Sequence, residues 1–358
     1  MAEFDIKIIQ EGAGGIGIER TITPVANEVL GFDANKLPVS LPQSGGSFSW
    51  QSEPATPSTT GTAGQMAYGT GGYFYVCIGT NSWVRTPLAT WTGSGVGGSG
   101  TPLFRELLTA NRTYYVATTG SDSNDGLSVG TPFLTIQKAL DVAASLDCSI
   151  YAVTIQVADG TYSGACIVKP VMANGAYSID SNAPLRIVGN TSNPQNVIIS
   201  HANGFVCDHL SVPVYIAGFK MTGANYGIIA TNSIVAHGSN HYATALVHLQ
   251  VVDNAIVQTV ANYSITAGAA IHVNALNGGM FRCLFRTVTL TGTPAFSARF
   301  AQCLQLARQL WEGTTFSGSA TGARYNVTRN AMINVEGAGV NFLPGNSAGA
   351  TSEGGLYV

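Results

Sequence analysis

Between Ile150 and Phe316 the chain carries only five acidic side chains: Asp159, Asp180, Asp208, Asp253 and Glu312. No two of them stand closer than 21 positions. Carboxylates are the natural first question in a chain so poor in other reactive groups. Glycoside hydrolysis sets two of them across the scissile bond, roughly 5–10 Å apart. Asp208, Asp253 and Glu312 are the candidates for such a pair, and their spacing offers no local dyad. Only a fold that returns distant segments to one face would bring Asp208 and Asp253 together. The reading of the residues is therefore no catalytic site, with these three as the side chains to watch.

The six histidines offer a second chemistry. His201, His209, His237, His241, His248 and His272 fall within 72 residues. Metal binding needs convergent ligands, and only His237 and His241 are neighbours in sequence, in the polar stretch HGSNHYA. Surface and turn positions are the expected role for all six, with no metal. Asp122, Asn124, Asp125 and Gly126 imitate the start of a Ca²⁺ loop. The bidentate Glu that such a loop requires has no counterpart, because no Glu occurs between Glu106 and Glu312. Asx turns explain the cluster better. Gly12-Ala13-Gly14-Gly15-Ile16-Gly17 imitates a dinucleotide fingerprint but lacks the long helix and distal acid that give that motif its meaning. The six cysteines contain no CxxC pair and read as free, buried thiols. No cofactor is expected.

Composition narrows the class further. Of 358 residues, 45% are hydrophobic and only 10% charged, with 43 glycines. Soluble domains usually carry about a quarter charged residues, so this surface is short of charge and favours burial in an assembly. The net charge of −3 argues against nucleic acid, whose phosphates require a basic face. No run approaches the 18 apolar residues of a membrane helix, and the N-terminus has no apolar core of signal-peptide length. Thr, Val, Ile, Ser, Asn and Gly dominate, which predicts an all-β chain.

The elements that would position these residues follow from the punctuation. Tyr114–Val116 reads as a strand, Gly120–Gly126 as a turn cluster, and Thr131-Pro132 as a helix N-cap with Pro at the first helical position. Ile136, Ala139, Leu140 and Ala143 then share one apolar helical face. From about Ile150 short apolar runs recur between turns, among them Tyr151–Val157, Leu185–Val188, Val212–Met221, Tyr226–Val235, Ala245–Val252, Met280–Leu290 and Cys303–Leu310. Asn174-Gly175, Asn203-Gly204 and Asn277-Gly278-Gly279 are among the intervening turns. The spacing predicts three short strands per coil of roughly 20–25 residues, and roughly seven coils. Upstream, residues 43–62 and 92–102 read as Gly/Ser/Thr/Pro-rich linkers. Between them, residues 63–91 read as a small β-hairpin module.

The segment YYVATTGSDSNDGLSVGTPFLTIQKAL, residues 114–140, resembles the entry of right-handed parallel β-helices of the pectate-lyase-like superfamily. Three other pieces resemble bacteriophage tail-fibre and tailspike proteins: TITPVANEVLGFDANKLPVSLP near the start, YVCIGTNSWVR in the hairpin module, and a C-terminus with GARY, Phe342-Leu343-Pro344-Gly345 and a Gly-rich end. The resemblance implies a virion attachment segment at 1–42, a capped parallel β-helix over 103–316 and a trimerising segment at 317–358. It implies a homotrimer on the phage virion that docks on other tail or baseplate proteins through residues 1–91. The solenoid would adhere to a bacterial surface glycan. A polysaccharide depolymerase and a purely structural baseplate component are the alternatives.

Overall fold

The computed structural model describes residues 6–11, 17–22, 28–32, 38–42, 50–68, 73–87, 105–173 and 179–358. The expected linker at 92–102, most of the Gly12–Gly17 stretch and the Asn174-Gly175 turn lie outside the described residues. The chain divides into two compact units, residues 1–101 and 102–358.

The first unit contains two antiparallel hairpins, Ile6–Glu11 with Gly17–Ile22 and Glu28–Phe32 with Pro38–Pro42. It also contains a four-stranded sheet of Trp50–Gln51, Met66–Tyr68, Tyr73–Gly79 and Ser82–Pro87. Ala67, Tyr75, Cys77 and Trp83 are the core of that sheet. Residues 50–62 correct the linker expected over 43–62. Trp50-Gln51 pairs with Met66-Ala67, the Tyr75 hydroxyl donates to Glu53, and Trp83 Nε1 donates to the Thr59 carbonyl. A polar, Pro-rich segment packs here because its own carbonyls and carboxylate supply the partners that two buried aromatic heads need.

The second unit is a parallel β-solenoid of three sheets. Sheet 1 stacks ten strands, from Arg112–Val116 and Val153–Val157 to Met332–Asn334 and Leu356–Tyr357. Sheet 2 stacks seven, from Gly160–Tyr162 to Thr315–Ser317, and sheet 3 stacks eight, from Cys166–Val168 to Ala350–Thr351. All pairings in these sheets are parallel. Seven turns contribute to all three sheets. Val214 pairs with Val235 and Val235 with Val257, so these turns take 21 and 22 residues. Nine steps of about 4.8 Å make sheet 1 roughly 43 Å tall. The strands Tyr325–Thr328, Met332–Asn334, Ala350–Thr351 and Leu356–Tyr357 carry sheets 1 and 3 through residues 317–358.

Strand register explains the core. Val153, Leu185, Val214, Val235, Val257 and Phe281 occupy one inward row of sheet 1, and each is fully or almost fully buried. Each such side chain contributes about 1.5–3 kcal/mol on burial. All six cysteines are free and buried. Burial pushes Cys148 and Cys283 up to about 11 and Cys166 and Cys303 up to about 12, so they act as small hydrophobes.

The helix Ile136–Ala143 closes the first turn with Ile136, Ala139, Leu140 and Ala143 buried, the face read from the sequence. Its start is corrected: Thr135, not Thr131, is the N-cap, and its hydroxyl accepts from the Lys138 N–H. Pro132 and Phe133 are instead held extended. Phe133 N–H donates to the Tyr115 carbonyl, and the Phe133 carbonyl accepts from Ala117. Asp122 then takes the N–H groups of Leu134 and Thr135 and the Thr135 hydroxyl. The aspartate therefore starts the helix later than the Thr-Pro pair predicts.

Candidate functional site

The three watched carboxylates separate into two places. Asp208 ends a strand of sheet 3 and its register row runs through Thr231 to Val252, so Asp253 lies one residue past the row, two turns on. Both stand exposed on the edge leading from sheet 3 to sheet 1. Two inter-strand steps put them roughly 10 Å apart. Asp208 Oδ1 sits 2.7 Å from His209 Nδ1, and Asp253 Oδ1 accepts from Asn277 Nδ2 at 2.8 Å. Glu312 lies on a different edge, between sheets 1 and 2, and joins neither.

The histidines divide differently from the expectation. His201 and His241 are half-buried and His209 is exposed, but His237, His248 and His272 lie fully inside the solenoid. In sheet 1 the inward row Ile155, Ile187, Ile216 continues as His237, Thr259, Cys283. In sheet 3, Gly227, His248, His272 and Phe300 succeed one another, as the flanking pairs fix. A Cβ at Gly227 would meet the His248 carbonyl at 2.5 Å and the Tyr242 ring at 3.0 Å, so only glycine fits beneath this stack. His237 is held between the Tyr242 hydroxyl at 3.0 Å and Thr259 Oγ1 at 2.9 Å. His272 Nε2 lies 2.7 Å from the Tyr263 hydroxyl, and its Nδ1 lies 3.0 Å from His248 Nδ1.

That chain of contacts couples the protons, because the tautomer of His272 fixes that of His248. With Tyr263 donating to His272 Nε2, His272 carries its proton on Nδ1 and donates to His248 Nδ1. His248 is then protonated at Nε2, and a hydrogen bond to the Thr244 backbone works against the effect of burial. Burial pushes His237 and His248 down to about 3 and His272 well below the ordinary value, so all three are neutral. Among the described residues, no three His, Cys, Asp or Glu side chains come together as metal ligands would. The cluster is an aromatic and polar packing layer that includes Phe296, Phe300 and Trp311.

The other rows of sheets 2 and 3 carry further polar side chains. On sheet 3, Asn274 donates to Gln250 and Gln302 donates to Asn274, each at 2.9 Å, an amide ladder along the axis. On sheet 2, Lys220, His241, Ser264, Thr289 and Ser317 succeed one another turn by turn. Burial, and then the neighbouring Lys220 ammonium, lower the His241 pKa. A groove of about 180 Å³ runs beside this row, lined by Thr191, Ser192, Pro194, Ser239, Asn240, His241, Asn262, Tyr263, Ser264 and Thr289. Asn240 is a buried support: it accepts from Phe219 N–H and donates to the Ile216 carbonyl. A larger cavity of about 300 Å³ lies where the capping helix meets the first turn, among Thr118, Thr135, Thr161 and Tyr162. No charged side chain lines it, and Thr135 is already engaged as the helix cap.

Of the sheet 2 row, the sequence singled out only His241, and placed it in a loop; it is in a strand. Lys220, Ser264 and Thr289 lie in strands of two to four residues, too short to show an alternation. No protein-family model matches the chain, and no curated protein sequence matches it.

Proposed function

We propose that this chain is a structural and adhesive protein of the bacteriophage tail-fibre or tailspike kind. It acts as a homotrimer, docks on tail or baseplate proteins through residues 1–91, and engages a bacterial surface glycan with its solenoid. The observation that carries the adhesive part is the sheet 2 face, where Lys220, His241, Ser264, Thr289 and Ser317 present one polar side chain per turn beside a groove. Such a surface matches the hydroxyl-rich, periodic character of a glycan chain. The parallel solenoid is compatible with this reading, and the fold alone does not specify a function. The test is binding of the labelled full-length chain to a panel of bacterial strains, with their extracted surface polysaccharides as competitors. Competition by polysaccharide from bound strains is expected; absence of binding to every envelope preparation would favour the baseplate component.

Depolymerase activity is the second reading, favoured by Asp208 and Asp253 on one edge. Their separation of roughly 10 Å is at the upper limit for an inverting pair. Release of new reducing ends from a bound polysaccharide, lost in Asp208→Asn and Asp253→Asn, would establish it. Neither residue is buried and the groove lies on another face, so adhesion without cleavage is the expected result.

A further inference from the structure

The middle turns of the edge between sheets 1 and 2 carry basic side chains, and the carboxylates of that edge stand at its two ends. Across the second to sixth complete turns, the corner and sheet 2 segments 189–199, 218–221, 239–242, 260–265 and 284–290 contain Lys220, His241 and Arg286 and no Asp or Glu. The carboxylates on this edge lie in the turns beyond, and one is committed: Asp159 holds Asn190 and Asn196. Glu312 follows in the seventh turn, where its carbonyl accepts from Phe285 N–H at 2.8 Å, so it stands on the turn next to Arg286. Among the described residues Lys220 and Arg286 make no ion pair, and Arg286 Nε is buried without a partner. In a chain with 10% charged residues, two cations without an ion pair and a neutral imidazole between them mark a place for an anion, with Glu312 at the far end of the stretch.

The same edge holds an exposed aromatic ring in strained backbone. Phe285 has φ 54 and is 67% exposed. A bulky residue in the left-handed region is a genuine outlier, costing on the order of 1–3 kcal/mol. Gly313 in the next turn leaves room for the ring, since a Cβ there would lie 2.3 Å from it. Nothing in the hydrophobic core uses Phe285. Asn or Gly would meet the backbone requirement without strain, so the turn geometry does not itself call for an aromatic ring. It stands beside Arg286 and four residues before Thr289 of the groove.

We propose that this edge binds an acidic saccharide, its carboxylates held by Lys220 and Arg286, with the neutral His241 imidazole as a hydrogen-bond partner and a sugar ring lying on Phe285. Hydroxyls of Ser264 and Thr289 face the remaining sugar hydroxyls, as does Asn262 Nδ2, whose amide oxygen already accepts from Thr287 N–H. The glycan lies along the solenoid axis, because the binding groups repeat turn by turn. This rests on the adhesive reading above and names its ligand class.

The experiment is calorimetric titration of the full chain with hyaluronan oligosaccharides and with their methyl esters, which keep the sugars and remove the charge. Tighter binding of the acid by tenfold or more at low salt is expected, weakening as salt rises. Lys220→Gln and Arg286→Gln should each reduce it severalfold. Phe285→Asn should abolish it while leaving the melting temperature unchanged or higher, which a structural role for the ring would not do. Equal affinity for acid and ester, no binding of either, or unchanged binding by Phe285→Asn would each overturn the proposal. Cell adhesion that survives those results would leave the adhesive reading standing; acid binding without adhesion to any strain would remove that reading instead.

Discussion

Three neutral histidines inside a solenoid make its stability depend on acid. His237 and His248, pushed down to about 3, and His272, well below its ordinary value, titrate near 6.5 once the chain unfolds. Between those values the unfolded state binds more protons than the folded one. Their stabilising contribution is therefore complete above about pH 6.5 and falls as the pH drops toward 3. The groups around them do not compensate: Tyr242, Tyr263 and Cys283 are raised by burial and stay protonated throughout. Every tenfold difference in proton affinity between the folded and unfolded chain is worth about 1.4 kcal/mol, so the combined loss is on the order of several kcal/mol. Urea midpoints should be level from pH 7 to 8 and fall steeply below pH 6; a level midpoint down to pH 4 would contradict the buried neutral state. Tyr263→Phe removes the hydroxyl 2.7 Å from His272 and leaves a buried nitrogen unpaired, costing about 1–3 kcal/mol. These inward histidines were not legible as such. Sequence alone marks His as a polar, turn-compatible residue, and the inward row that turns Ile216 into His237 appears only when turns are stacked.

At the scale of the element, the capping helix shows what local chemistry can and cannot specify. Its buried face was readable because Ile136, Ala139, Leu140 and Ala143 repeat at helical spacing. Its start was not, because the deciding acceptor, Asp122, lies 13 residues before Thr135. Asp122→Ala should leave the Leu134 and Thr135 N–H groups without their acceptor and destabilise the cap by about 1–3 kcal/mol. Faster amide exchange over residues 134–138 is the measurement, and exchange equal to the wild type would show the carboxylate dispensable. The strands divide in the same way. The run Met280–Leu290 reads as one apolar stretch, yet it is two strands, Met280–Cys283 and Thr287–Leu290, on different sheets. The break is Phe285, whose left-handed backbone turns the corner, and nothing in an apolar sequence announces that. His241–Tyr242 and Lys220–Met221 are two residues long, so sheet 2, which carries the candidate site, was the least legible part of the fold.

For the whole molecule, the two cores set what can be separated. Among the described residues, one buried cluster runs from Leu108 to Leu343, and a second holds Ala67, Tyr75, Cys77 and Trp83 with Tyr73 packed against it. A chain beginning at Pro102 therefore keeps the capping helix, every strand of the three solenoid sheets and the sheet 2 edge. It should unfold at the same urea concentration as the solenoid in the full chain and retain any saccharide affinity. Homotrimer formation is the companion expectation, because a surface so short of charge is covered best by copies of itself. Light scattering should give three times the 37.1 kDa chain mass for the full chain, and three times its own mass for the shortened one if the solenoid makes the contact. A shortened chain that is folded but monomeric, beside a trimeric full chain, would move trimerisation to residues 1–101. A shortened chain that fails to fold would mean that the cap at Asp122 to Ala143 is insufficient to close the solenoid's open end.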